Sequence, residues 1–522
     1  MQRARVPGGR SALKAAVPSC YRPAPVKLPR SAPPWAQGLA PLVPLLATFA
    51  VWAPLRNGYF SGDDFFHLYD LATRPLSDLL GQVWGGHLLV LYNAVLWTMF
   101  QAFGTDPRGY AWTVLLTHLL NTALLFHVIR QVIRPPGLTL ACFGAMLWGA
   151  CPALVGALGW YSVYGQVLLT TLVLCVLWSL GRVVRSGRAL STRVALLWTA
   201  VLAAGSTSFG TGLGVAAAFP VIVALVLPAG RLTRRSALVL VPGAVLTVVG
   251  YQLALVHSPD MTAEARAGVS PLSNPGLLPA AVGLWAHLVG FGASALLFDV
   301  VGANQRFPGW TQLVGGGVLT LLLLAAGVGA DAAGRRRLLA LVLLVAGAYG
   351  AVAAGRAAVY AAGRVAFTIA AMVPRYHYLP LALLTVAVCT ALGEIAARGP
   401  LASRAVSVAA GLWMLGRIAV LVLRPFPIDL ADRQRAALED VFRSIRAQVE
   451  RTPPGEVALI ENKPFGASLY FPALMPGWAG LFVIFSPEDT IDGRPVRFLV
   501  SEDDWERARA RGGRIAGLVV RR

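Results

Sequence analysis

Apolar runs of about twenty residues recur along this chain from Pro41 to Leu423, and short arginine-rich segments separate many of them. A run of that length is what an α-helix needs to cross the hydrocarbon core of a bilayer. Only 13% of the 522 residues are charged and 56% are hydrophobic, whereas soluble domains carry about a quarter charged residues. So apolar a chain is neither disordered nor an ordinary soluble globule. Five cysteines at scattered positions make no disulfide framework and no zinc pattern. The expected class is an all-α polytopic membrane protein.

The formal net charge is +21, which on a soluble chain would suggest a nucleic-acid partner. Here the arginines cluster in short loops between apolar runs, the pattern of the positive-inside rule, and no nucleic acid is expected. With the N-terminus on the cytoplasmic side, the expected spans lie near 37–55, 110–129, 138–156, 166–181, 194–208, 211–228, 236–256, 312–330, 338–355, 379–396 and 405–423. Two further apolar stretches, 88–103 and 277–300, fit best as interfacial or re-entrant helices on the outer side. Counting both as spans would raise the number from 11 to 13 and put nine arginines, Arg130 to Arg235, on the wrong face.

Three segments follow from this reading. Residues 1–36 are a basic cytoplasmic lead with seven Lys or Arg and no acid. Residues 37–423 form the transmembrane domain, with a first outer loop at 57–109. Residues 424–522 are nearly balanced in charge and form a small extracytoplasmic α/β domain. Its amphipathic helix is expected at 430–451, its strands at Val457–Ile460, Leu481–Phe485, Val496–Val500 and Ile515–Val520, and a second helix at 502–511.

The chemistry-bearing residues gather in the first outer loop. Asp63 and Asp64 follow directly on a span end, among Tyr59, Phe60, Phe65 and Phe66. Charges this close to hydrocarbon are hydrated, paired or functional, and the plain alternative is a helix cap. His67 follows three residues later, on the same face if the segment is helical. Gly85-Gly86-His87 comes next, then Phe103-Gly104-Thr105-Asp106-Pro107, then His118 and Asn121 within a span. Further on stand Trp160-Tyr161-Ser162, with Gln166 just inside the following span, and Arg375-Tyr376-His377-Tyr378-Leu379-Pro380. Arg356 and Arg364 share an expected outer loop with Arg375, against the inside bias. Asp260, Glu264, Asn304, Gln305 and Arg306 are outer-loop candidates for acceptor contact without a motif. The Gly-rich stretches Gly205–Gly214 and Gly315–Gly317 lack the lysine of a phosphate-binding loop and are read as sites of close helix packing.

This ordered series resembles the opening of bacterial membrane glycosyltransferases of the GT-C superfamily, the group that includes protein mannosyltransferase-like enzymes. Those proteins carry an acidic pair in the first outer loop, an amphipathic segment, an FG-x-x-P turn, a span with H-x-x-N, a W-x-S loop and an outer RY-x-Y-x-P motif. Where relatives read H-x-R-P, this chain reads Gly86-His87-Leu88-Leu89, without the Arg and Pro. The resemblance implies a GT-C-like fold and transfer of a sugar from a polyprenyl-phosphate carrier to an acceptor on the outer face of a bacterial inner membrane. It implies Asp64 or Asp63 as the catalytic carboxylate, with Asp64 preferred.

An acidic pair also suits a divalent cation such as Mg or Mn, since hard cations take oxygen ligands. Arg375 is the expected phosphate partner. Tyr376, His377, His67, His87, Trp160, Tyr161 and Gln166 are the other expected substrate contacts. His118 is expected to tie helices together. The partners implied are a lipid-linked sugar donor, an acceptor of unnamed class and the bilayer. The other classes weighed are a transporter or flippase of a lipid-linked sugar, which would be expected to show midplane acids and paired repeats, and a non-catalytic membrane assembly protein.

Overall fold

The computed structural model describes residues 34–58, 60, 63–104, 106–133, 137–258, 275–298 and 306–423, and pieces of the tail at 447, 450–456, 458–461, 490–491, 494–501 and 518–521. The chain divides into two compact units, Met1–Leu39 and Ala40–Arg522. In the first, the helix α1 (Pro34–Leu39) is described. The second is a helical bundle followed by strands.

Eight segments of the described residues are long and apolar enough to cross a membrane, and a ninth is a pair bent by 49°. The chain is thus a polytopic helical membrane protein. The first span ends in α2 (Leu42–Trp52) and a 3₁₀ turn to Asn57. Two short helices, α3 (Asp64–Thr73) and α4 (Leu76–Leu80), lead to a hairpin of β1 (Val83–Trp84) and β2 (His87–Leu88), then to α5 (Val90–Phe103). Next come α6 (Pro107–Val132), α7 (Gly137–Gly149), the single turn α8 (Val155–Leu158), α9 (Tyr164–Ser186), α10 (Thr192–Ser206), α11 (Thr211–Val226) and α12 (Arg234–His257). The bundle closes with α13 (Leu278–Phe298), α14 (Pro308–Gly329), α15 (Ala332–Ala362), the turn α16 (Phe367–Ala370), α17 (Tyr378–Ala396) and α18 (Pro400–Leu423).

The helix starts are written in the sequence. Asp106, Ser191, Thr233 and Asp331 each cap a first turn by accepting from a backbone N–H two or three residues on, and Pro107 occupies the first helical position of α6. The bend between α7 and α8 comes from Pro152, which has no N–H to continue the ladder. Freed carbonyls at that depth need other donors. The Gly149 oxygen accepts from the Trp52 indole at 2.7 Å and from His118 Nε2 at 2.9 Å.

Contacts between elements sort the arginines. Arg337 donates to the Val132 carbonyl and pairs with Glu394 at 2.8 Å. Leu190 N donates to Arg231 O, and Arg398 donates to Ala325 O. These contacts gather Arg130, Arg182, Arg185, Arg188, Arg231, Arg234, Arg335 to Arg337 and Arg398 at one end of the bundle. The loop after the first span, with Trp160, Arg356 and Arg375, lies at the other. Both gatherings agree with the arrangement expected from the sequence.

Three expectations need adjusting. Residues 194–208 and 211–228 form helices of only 15 and 16 residues, about 23 Å of rise, which is short of a typical hydrocarbon core. The 277–300 stretch is no interfacial helix. It is a 21-residue helix, apolar all round and largely buried, as an all-apolar helix must be. Gly290 packs on Gln312 and Ser294 on Gly315, so α13 and α14 run in the same direction from the end where Gln312 Nε2 donates to Thr368 O. That direction suits a segment that enters and leaves from the same side.

In the tail, β3 (Ala458–Glu461) and β6 (Leu518–Arg521) flank β5 (Arg494–Ser501) in parallel, and β4 (Thr490–Ile491) pairs antiparallel with the start of β5. Three of the four expected strands are thus present. The expected strand at 481–485, the helix at 502–511, most of the helix at 430–451 and the N-terminal segment to residue 33 lie outside the described residues.

Candidate functional site

Asp64 opens α3 but does not cap it, and Asp63, at the N-cap position, makes no side-chain capping bond. Instead the Asp64 carboxylate reaches across the fold. Its Oδ1 accepts from both the backbone N–H and the hydroxyl of Ser162, each at 2.6 Å. Asp64 is 3% exposed, inside a cluster in which Phe60, Tyr110 and Tyr161 meet edge to face or tilted at 5.3–5.6 Å. Two short charge-assisted bonds on one oxygen orient the carboxylate. Asp63, beside it, is more exposed.

His67 packs its ring against Trp84 at 5.4 Å and Tyr92 at 5.5 Å. Burial lowers its pKa to about 4, so it is neutral at pH 7 and its contacts are those of an aromatic ring.

The hairpin turns on Gly85 and Gly86, whose φ values of 55° and 78° are those of a two-residue turn that only small flexible residues adopt readily. It presents His87 to α15. His87 Nε2 accepts from Arg356 Nη2 at 3.0 Å, and the Gly85 carbonyl accepts from the same nitrogen at 3.2 Å. Burial, with the guanidinium groups of Arg356 and Arg375 nearby, pushes the His87 pKa down to about 3. The ring stays neutral and able to accept. It stacks on Phe209 at 4.6 Å, and a Cβ at Gly210 would stand 2.8 Å from its Nδ1.

Arg375 sits on the 3₁₀ turn Pro374–Tyr376. Its guanidinium lies over Trp160 at 5.0 Å and Tyr376 at 5.4 Å, and its carbonyl accepts from Gln166 Nε2 at 2.9 Å. The Tyr376 and Tyr360 hydroxyls meet at 2.8 Å. Trp160 and Ser162 are two residues apart, at most about 7 Å of chain. With the Trp160 side chain and both contacts added, the Asp64 carboxylate lies within roughly 20 Å of the Arg375 guanidinium. One short loop therefore contacts both the acid and the cation.

His377 is not available to a ligand. Its Nε2 donates to Ala371 O at 2.7 Å and its Nδ1 accepts from the Tyr349 hydroxyl at 2.9 Å. It is fully buried, and burial lowers its pKa to about 4. The residue expected to touch substrate instead braces the Arg375 turn. His118 ties helices as expected, with Nδ1 accepting from the Tyr378 hydroxyl at 2.7 Å and Nε2 donating to Gly149 O. Asn121 donates to Val167 O.

A cavity of about 570 Å³ lies beside the hairpin, with Gly85, His87, Arg356 and Tyr376 among its lining residues. It runs between α11, α12 and α15 along small and apolar residues, from Arg356 back to Gly347 on α15, about 14 Å of helix. α11 packs on both neighbours, whereas α12 and α15 scarcely touch, so the cavity has α11 as its floor. Phe209, Thr211, Tyr251 and Gln252 line it and escaped the sequence reading. The available signals were the polar Ser206–Ser208 break between two short apolar runs and the Tyr251-Gln252 pair inside a span.

The sequence also suggests Asp63 and Asp64 as ligands of a divalent cation. Among the described residues no three His, Cys, Asp or Glu side chains come together as ligands, and one oxygen of Asp64 is already engaged by two donors from Ser162. Asp260, Glu264, Asn304 and Gln305 lie outside the described residues.

No family model matches the chain, and no curated protein matches it. Among solved structures, the crystal structure of ArnT from Cupriavidus metallidurans bound to undecaprenyl phosphate is similar at 13% identity. The match covers 93% of this chain and 90% of that one, with a TM-score of 0.49.

Proposed function

We propose that this chain is a membrane glycosyltransferase of the GT-C kind. It would move a sugar from a polyprenyl-phosphate carrier to an acceptor hydroxyl at the end of the bundle opposite the arginine clusters. The observation that carries this reading is one juxtaposition. Asp64 and Arg375 both contact the 160–162 loop, and Arg356 lines an apolar cavity between helices. A lipid-linked sugar needs all three features: an apolar slot for its tail, cations for its phosphate and a base for the incoming hydroxyl.

In this mechanism the isoprenoid lies in the cavity between α12 and α15 and leaves it toward the lipid. Arg356 and Arg375 face the phosphate, where a guanidinium fork offers paired donors. His87 and the Gly85 carbonyl hold Arg356, and Trp160 and Tyr376 hold Arg375. Asp64, oriented by Ser162, or its neighbour Asp63, takes the proton of the acceptor hydroxyl. The oxygen attacks the anomeric carbon, the bond from that carbon to the phosphate oxygen breaks, and the polyprenyl phosphate leaves with its negative charge met by the two arginines. No step is routed through a metal. The arginine-rich end would face the cytoplasm, which puts the site on the outer face of a bacterial inner membrane.

The test is reconstitution of the full chain in vesicles with synthetic polyprenyl-phosphate sugars, reading release of polyprenyl phosphate. Release that depends on the chain and falls in Arg356→Ala and Arg375→Ala supports the reading. Absence of release with every donor and acceptor class, from protein shown to be folded, contradicts it.

A further inference from the structure

Arg417 is an arginine in the wrong place. It lies on α18 roughly 25 Å from the helix start at Pro400, yet it is 3% exposed. A charged side chain inside a membrane bundle is rare and marks a specific task. Its Nη2 donates to the Ala150 carbonyl at 3.0 Å, its guanidinium lies near the Trp413 ring at 5.9 Å, and its Nε has no hydrogen-bond partner.

Ala150 is the residue at which the bent span breaks. Other arginines also donate to backbone carbonyls, Arg336, Arg337 and Arg398 to Ala332, Val132 and Ala325 at the arginine-rich end and Arg356 to Gly85 on the hairpin. Arg417 does so within the bundle. A helix C-terminus carries a partial negative charge, and a cation there is favourable. Beyond the break, α8 runs directly onto the Arg375 turn, where a Cβ at Gly156 would stand 2.8 Å from Pro374 Cβ and 2.9 Å from Arg375 N. The next residues are Trp160 and Ser162.

We propose that Arg417 is a positioning residue. It caps the broken span at Ala150 and so fixes the direction in which α8 carries Gly156, Trp160 and Ser162 to Arg375 and Asp64. The cap itself stands on geometry; its bearing on sugar transfer rests on the proposed function.

The experiment compares Arg417→Leu, Arg417→Met and Arg417→Lys in the full chain, by hydrogen exchange and by transfer. Removing the donor in Arg417→Leu is expected to speed exchange about tenfold over residues 150–163 and 374–377 and to leave residues 180–190 unchanged. Lys, which can still donate, is expected to restore protection. Transfer should fall about a hundredfold in kcat in Arg417→Leu, with little change in donor KM, and return with Lys. Unchanged exchange over 150–163 overturns the cap. Faster exchange there with unchanged transfer overturns the positioning role. If Arg417→Leu exchanges everywhere, it has unfolded and Arg417→Met, equally without a donor, decides, with a local rise supporting the cap and no rise overturning it. Should the wild type transfer no sugar at all, the proposed function fails while the exchange arm still judges the cap.

Discussion

Asp64 and Ser162 stand 98 positions apart, and the carboxylate of one takes both donors of the other at 2.6 Å. This bond joins the first loop to the turn that follows the bent span.

Ser162→Ala keeps the backbone donor and removes the hydroxyl. A bond to a charged group contributes about 1.5–3 kcal/mol, so we expect kcat to fall about tenfold to a hundredfold with the donor KM little changed. Transfer rates in membranes, normalised to protein abundance, check this.

Arg375→Lys retains the charge and loses the planar fork that lies over Trp160 and Tyr376. The expected result is a donor KM raised at least about tenfold, since Lys binds phosphate as a point charge and stacks poorly. Arg356→Gln should behave similarly. A competition assay with polyprenyl phosphate reads both.

Gly350 lines the cavity, and a Cβ there would meet nothing within 4 Å. Gly350→Leu should therefore fold normally and block the slot, weakening carrier binding at least about tenfold. Gly347→Leu is the contrast, because its Cβ would press on the Gly214 carbonyl where α11 and α15 cross. Overpacking of that kind costs about 1–3 kcal/mol, visible as a lower Tm in detergent.

His67, His87 and His377 have folded pKa values lowered to about 4, 3 and 4 from an ordinary value near 6.5. Below pH 6.5 the unfolded chain binds protons that the folded chain refuses. Stability is then full above about pH 6.5 and falls as pH drops toward 4 and 3. Melting temperature against pH should show this decline, and His87→Gln should flatten part of it. The transfer profile should show no limb near pH 6.5 from these three residues.

The parts legible in the sequence were those with local causes. Span lengths follow from apolar runs, helix starts from Asp106, Ser191, Thr233 and Asp331, and the grouping of arginines from the loops that hold them. The acid pair announced itself by standing at a span end. What escaped depends on distant partners. His87 meets Arg356 across 269 positions, and no period or spacing encodes that. His377 looked like a ligand because it sits in a polar motif, yet Ala371 and Tyr349 take both its nitrogens. For the 277–300 stretch the sequence leaves interfacial and re-entrant placements open, because an all-apolar helix has the same composition whether it lies at an interface or packs beside α14.

The most direct test of the account is single-turnover transfer from a labelled polyprenyl-phosphate sugar by Asp63→Asn and Asp64→Asn, with carrier binding measured on the same samples. Loss of a general base lowers the chemical step by about 10²–10⁴. The account predicts that loss in Asp64→Asn, or in Asp63→Asn if the neighbour is the base, with carrier binding intact. Wild-type transfer by both variants would contradict it.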